Sequence, residues 1–112
     1  MKIFLICPVR NASDAQRMAM ATFINRAEAL DGHKVYYPAR DTDQNDPIGY
    51  RICADNRHAI ENADLVAVFF DKKSQGSLFD LGMAFALRKP IKIVNLADLE
   101  RTDGKSFTNM ML

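Results

Sequence analysis

Six consecutive residues, Leu65-Val66-Ala67-Val68-Phe69-Phe70, carry no polar side chain. A run of this length is too short to span a bilayer, and its uniform apolarity predicts a strand covered on both faces, at the centre of a sheet. Such a strand needs helices on either side, and the flanking sequence supplies them. Ile3 to Ile6, bounded by Pro8, predicts a first strand. Lys34-Val35-Tyr36-Tyr37 before Pro38 predicts a second, and Ile91-Lys92-Ile93-Val94 after Pro90 a fourth. Between the first two, Ser13 caps a helix on which Met20, Phe23, Ile24, Ala27 and Leu30 recur at helical spacing, ending near Asp31-Gly32. From Pro47 or Ile48 to Ala63, the positions of Ile52, Cys53, Ala59, Ile60 and Ala63 predict a less regular helix, and Ser77 to Arg88 predicts another with little polar surface. Strands alternating with helices over short links imply parallel pairing through right-handed crossovers. The expected fold is therefore α/β, a small doubly wound parallel sheet in a flavodoxin- or Rossmann-like three-layer sandwich. Asn95 to Leu112 is weakly patterned, and 112 residues make one domain, 1–112.

Sheets of this kind bind ligands beyond the carboxyl ends of their strands, near the point where strand order reverses. The loops after Ile6, Tyr37, Phe70 and Val94 are thus the places to search. Fifteen Lys and Arg against fourteen Asp and Glu leave a formal net charge of +1, so no global field holds a nucleic-acid polymer or an anionic membrane. A small molecule in a local site is the partner that remains. The apolar start is cut short by Pro8, too early for a secretory segment or a membrane span, which places the protein in the cytoplasm. Cys7 and Cys53 lack the spacing of a metal or redox pair and read as buried free thiols. His33 and His58 have no ligand partners at metal spacing. The acidic stretch from Arg40 to Pro47 lacks the Gly and terminal Glu of an EF-hand loop, and reads as a polar, flexible lid rather than a cation site. No metal or cofactor is expected.

The most informative stretch leads from the central strand into the third helix: Asp71-Lys72-Lys73-Ser74-Gln75-Gly76-Ser77-Leu78-Phe79-Asp80-Leu81-Gly82-Met83-Ala84. Gly76 permits close backbone approach, Ser74 and Ser77 offer hydroxyls, and the free N–H groups and dipole of a helix start favour an anion such as a phosphate. The same spacing also fits a capping box, with Ser77 as the cap and Asp80 reaching back to its N–H. Asp71, at the strand's carboxyl end, suits either a ribose hydroxyl or a loop cap. Arg10 suits either a phosphate clamp or an exposed loop.

This stretch resembles the signature of the nucleoside 2-deoxyribosyltransferase family and the related deoxynucleoside 5′-monophosphate N-glycosidases. Ser74, Gly76, Asp80, Leu81, Gly82 and Ala84 stand at the places of the motif. The similarity continues in Ile3-Phe4-Leu5-Ile6-Cys7-Pro8, in Ala63-Asp64-Leu65-Val66 and in the Asn-x-Met of Asn109-Met110-Met111. Two positions depart from the pattern. Asp80 stands where the family has a nucleophilic Glu, and Phe4 where the transferases often have Tyr.

The resemblance implies an enzyme that cleaves or exchanges the N-glycosidic bond of a 2-deoxynucleoside or its 5′-monophosphate through a covalent glycosyl-carboxylate. Asp80 would attack the anomeric carbon. The place of the acid that protonates the leaving base holds Asn56, with Asp55 beside it as a substitute; a solvated helix face is the alternative reading of both. Substrate contacts are implied for Phe4, Pro8, Arg10, Asp71, Ser74, Gly76, Ser77, Asn109 and Met111. Ser74 and Arg10 favour the monophosphate. The last two residues imply a homo-oligomer whose tails complete neighbouring sites. A nucleotide-binding module without turnover is the alternative function that the departures at Asp80 and Phe4 permit.

Overall fold

The computed structural model describes residues 1–112. Strands β1 (Lys2–Ile6), β2 (Lys34–Tyr36), β3 (Leu65–Val68) and β4 (Ile91–Ile93) form one parallel sheet in the order β2-β1-β3-β4. Successive strand residues point to opposite faces, and this alternation sorts the core into two clusters. Ile3, Leu5, Val35, Ala67 and Phe69 meet Met20 and Ile24 of helix α1 (Asp14–Asn25) and Ala27 of its π-helical continuation, Arg26–Leu30. Phe4, Ile6, Val66 and Val68 meet Ile60 of helix α3 (Tyr50–Glu61) and Leu81 and Ala84 of helix α4 (Gln75–Ala86). The result is the expected doubly wound three-layer α/β arrangement. From β1 the chain winds to β2 on one side, and from β3 to β4 on the other, so the order reverses between β1 and β3.

Local chemistry explains where the helices begin. Ser13 and Gln16 form a reciprocal capping box at the start of α1, each side chain accepting from the other's backbone N–H, at 3.1 and 2.9 Å. The cap of α4 is Ser74, not Ser77. Ser74 has extended backbone and its Oγ accepts from Ser77 N at 3.2 Å, whereas Ser77 lies one turn inside, almost completely buried. No capping box forms there, because Asp80 points into the core between α3 and α4 instead of back along its own helix.

Four further differences from the sequence reading bear on the site. The stretch expected as a loop opens with a one-turn helix, α2 (Pro38–Asp41), started by Pro38, whose fixed φ suits a first helical turn. The tail also carries structure, a 3₁₀ turn at Leu96–Asp98 and helix α5 (Phe107–Met111) capped by Ser106. Ladder pairing of the central strand ends at Val68, yet Phe69 and Phe70 stay buried, and the Asn95 amide bonds both N–H and C=O of Phe70 at 2.8 and 2.9 Å. Cys7 is buried, whereas Cys53 is only half-buried.

The outer edge of β2 is closed by side chains. Val35 N–H donates to Glu28 Oε2 at 3.4 Å, and Val35 C=O accepts from Arg40 at 2.7 Å; Arg40 in turn pairs with Glu28 and Asp41. This satisfies the backbone groups that an edge strand otherwise leaves open. It also anchors the start of the supposed lid, so Arg40 to Thr42 is a fixed segment. No helix is long and apolar enough to cross a membrane.

Candidate functional site

At the reversal of strand order, Asp80 on α4 lies 9% exposed beneath the carboxyl ends of β1 and β3. It accepts from Asn56 Nδ2 of α3 at 3.4 Å. Asn56 Oδ1 accepts from Thr42 Oγ1 at 2.9 Å, and Thr42 Oγ1 lies 2.6 Å from the Tyr36 hydroxyl. Donor counting gives this chain a direction. Thr42 has one proton and spends it on Asn56, so Tyr36 donates to Thr42, and Asn56 turns its NH₂ toward the carboxylate. Thr42 and Asn56 are themselves buried. No buried polar side-chain atom lacks a partner.

Burial pushes the Asp80 carboxyl up to about 7, against the opposing effect of the Asn56 hydrogen bond. Burial first, and the Asp80 charge second, push the Cys7 thiol up to about 12; burial, Asp80 and Asp46 together raise Cys53. Neither thiol is therefore an activated nucleophile.

The remaining expected site residues fall into three groups. Around the switch point, Ser74 Oγ and Ser77 Oγ lie 2.8 Å apart, Gly76 is exposed in the first turn of α4, and Arg10 is exposed on the loop after β1 without a hydrogen-bond or salt-bridge partner. Asp71 stands below the usual carboxylate range because Lys73 N–H and Gln16 Nε2 donate to it, at 2.9 and 3.0 Å. It thus ties the loop after β3 to α1, and Gln16 is the partner sequence reasoning missed; the capping-box position of Gln16 was the available signal.

A second group is buried. Phe4 is 0% exposed and stacks on Tyr36, ring centroids 5.4 Å apart; Pro8 is also buried. Its strand position turns Phe4 under α3 and α4, so its side chain has no exposed surface in this structure.

The third group is engaged elsewhere. Asp55 is exposed and pairs with Arg51 at 2.8 Å, one residue and about 100° around the helix from the buried Asn56. The Asn109 amide accepts from Thr102 N–H and donates to the carbonyls of Thr102 and Gly104, and Met111 packs on the cluster around Phe4 and Leu81. The tail is therefore ordered by its own chain.

Two cavities flank α3. One, of about 420 Å³, is mostly apolar and lined by Ile48, Tyr50, Cys53, Phe79 and Met83. The other, of about 590 Å³, lies along β2 and includes Lys2, Lys34, Asp55 and His58. Asp80 lines neither. No group of three His, Cys, Asp or Glu side chains is arranged to hold a metal ion.

No family model matches the chain, and no curated protein matches its sequence. Solved structures do. The chain superposes on a CMP N-glycosidase from Clostridium botulinum with a TM-score of 0.59 and 21% identity, covering 83% of this chain and 66% of that one. It superposes on a 2-deoxyribosyltransferase from Bacillus psychrosaccharolyticus with a TM-score of 0.64 and 21% identity, covering 83% of this chain and 71% of that one. The fold is the 2-deoxyribosyltransferase fold. Within that fold, Arg10 lies on the loop after β1, and Ser74, Gly76 and Asp80 lie on the segment that follows β3, the two strands between which the order reverses.

Proposed function

We propose that this chain is an enzyme that cleaves or exchanges the N-glycosidic bond of a 2-deoxynucleoside or its 5′-monophosphate, with Asp80 as the nucleophile. The observation that carries the reading is the single buried carboxylate at the switch point, which accepts a hydrogen bond from one amide. A carboxylate stripped of water is a strong nucleophile toward an electrophilic carbon, and the two proteins of like fold are an N-glycosidase and a deoxyribosyltransferase.

In the proposed reaction an Asp80 oxygen bonds to the anomeric carbon as the carbon–nitrogen bond breaks, and the base departs with the electron pair. Water, or a second base, then displaces the aspartyl ester. Asn56 has no proton to give and Asp55 is paired with Arg51, so the leaving base takes its proton from water. The unpaired N–H groups of Gln75 and Gly76, with Arg10 and the nearby lysines Lys72 and Lys73, hold the 5′-phosphate. Cytoplasmic location and assembly into a homo-oligomer belong to the same reading.

Chromatographic detection of free base tests it, with each deoxynucleoside and each 5′-monophosphate incubated with protein and with Asp80→Ala. Release from one substrate set, abolished in the variant, is the expected result. Saturable monophosphate binding by calorimetry without any release would overturn the enzyme reading and leave a binding module.

A further inference from the structure

We propose that Thr42 and Tyr36 are positioning residues for Asp80, forming with Asn56 a one-directional hydrogen-bond chain that aims a donor at the carboxylate. This rests on Asp80 being the reacting group, as proposed above. Neither hydroxyl is distinguished by the sequence, since Tyr36 closes a strand and Thr42 sits in a polar segment.

The geometry carries the inference. A free Asn amide presents its oxygen and its NH₂ with nearly equal ease, and the oxygen would repel an ionised carboxylate. Thr42 removes that freedom by donating to Asn56 Oδ1 at 2.9 Å, which leaves only the NH₂ for Asp80. Tyr36 in turn settles which way the Thr42 proton points, by donating to Thr42 Oγ1 at 2.6 Å. Tyr36 is itself held by stacking on Phe4. The chain of hydrogen bonds to Asp80 thus starts from a hydroxyl on β2 and passes through two intermediates. Because Thr42 follows α2 directly and α2 is clamped by Arg40, the orientation of Asp80 is coupled to the segment between β2 and α3. Around Asp80, the groups able to titrate are Cys7 after β1 and Cys53 on α3, both held neutral; Asn56 is the remaining polar contact.

Carboxyl ¹³C NMR of the full chain reads the effect directly, with the Asp80 resonance assigned by its loss in Asp80→Asn. Thr42→Val keeps shape and removes the donor. The Asp80 midpoint is then expected to rise by about one pH unit, a tenfold change in its dissociation constant, because the ionised form loses its oriented partner. Tyr36→Phe raises it by a smaller amount, and Thr42→Ser, which restores the hydroxyl, leaves it at the wild-type value. An unchanged midpoint in folded Thr42→Val overturns the proposal. Should Thr42→Val fail to fold, an unchanged midpoint in Tyr36→Phe does so instead. Base release measured in parallel separates the two readings. Midpoints that move in a protein without turnover leave the positioning chain standing and sink the enzyme, and turnover with unmoved midpoints does the reverse.

Discussion

Asp80 meets two opposing demands. Its burial disfavours the charge that its proposed role requires, and the Asn56 donor offsets only part of that cost. The consequence for stability has a definite sign. The folded carboxyl holds its proton up to about pH 7, while the unfolded one releases it near the ordinary 3.8, so between these values the folded state binds more protons. Stability therefore falls as pH rises from about 4 to 7 and levels off above. We expect Asp80→Asn to remove this slope and to stabilise the protein by about 1–3 kcal/mol at pH 8, read as a higher denaturation midpoint, while abolishing base release. Spacing alone made Asp80 a capping residue, and only the resemblance of its motif to the 2-deoxyribosyltransferase signature marked it as a reacting group. Its partners were not legible in the sequence. Asn56 lies 24 residues away, and Thr42 another 14, so their meeting depends on how α3 packs against α4.

At the scale of elements, the start of α4 decides what can bind. A Cβ placed on Gly76 meets no atom within 4 Å, and its backbone does not take a left-handed conformation, so the fold makes no demand for glycine there. Gly76→Ala should leave thermal stability unchanged or raise it by about 0.5–1 kcal/mol, because alanine is the better helix former. If the open first turn holds the phosphate, the same variant weakens monophosphate binding at least tenfold by calorimetry. Equal affinity in both proteins would remove Gly76 from the site. The helices and strands themselves were readable from periodicity, with α2 and α5 the exceptions. Each is a turn or so long, too short for an apolar repeat, and is held by Pro38 or Ser106 and by tertiary contact. The shift of the α4 cap from Ser77 to Ser74 has a similar origin, since both serines satisfy the local pattern and only burial of Ser77 selects between them.

At the scale of the whole molecule, the apolar groove between α3 and α4 is flanked by Ile48, 89% exposed, Tyr50 and Phe79, 57% exposed. Side chains of that size left open together suit the homo-oligomer proposed above. Light scattering should report a multiple of the 12.6 kDa chain, reduced to the monomer mass by Phe79→Asp; a monomeric wild-type protein would refute the homo-oligomer. What the sequence by itself determined was the layered parallel sheet, because a strand with no polar residue must be covered on both faces and alternating helices cover it. It also set which loops follow the strands at their carboxyl ends. Only the tertiary structure decided which polar groups face each other. It turned Asp55 to solvent and Asn56 inward, sealed Phe4 beneath the helices, and led the Tyr36 hydroxyl through Thr42 to Asp80. Hydrophobic periodicity is a property of neighbours along the chain, whereas a hydrogen bond in a buried site depends on side chains from separate elements arriving within about 3 Å of one another.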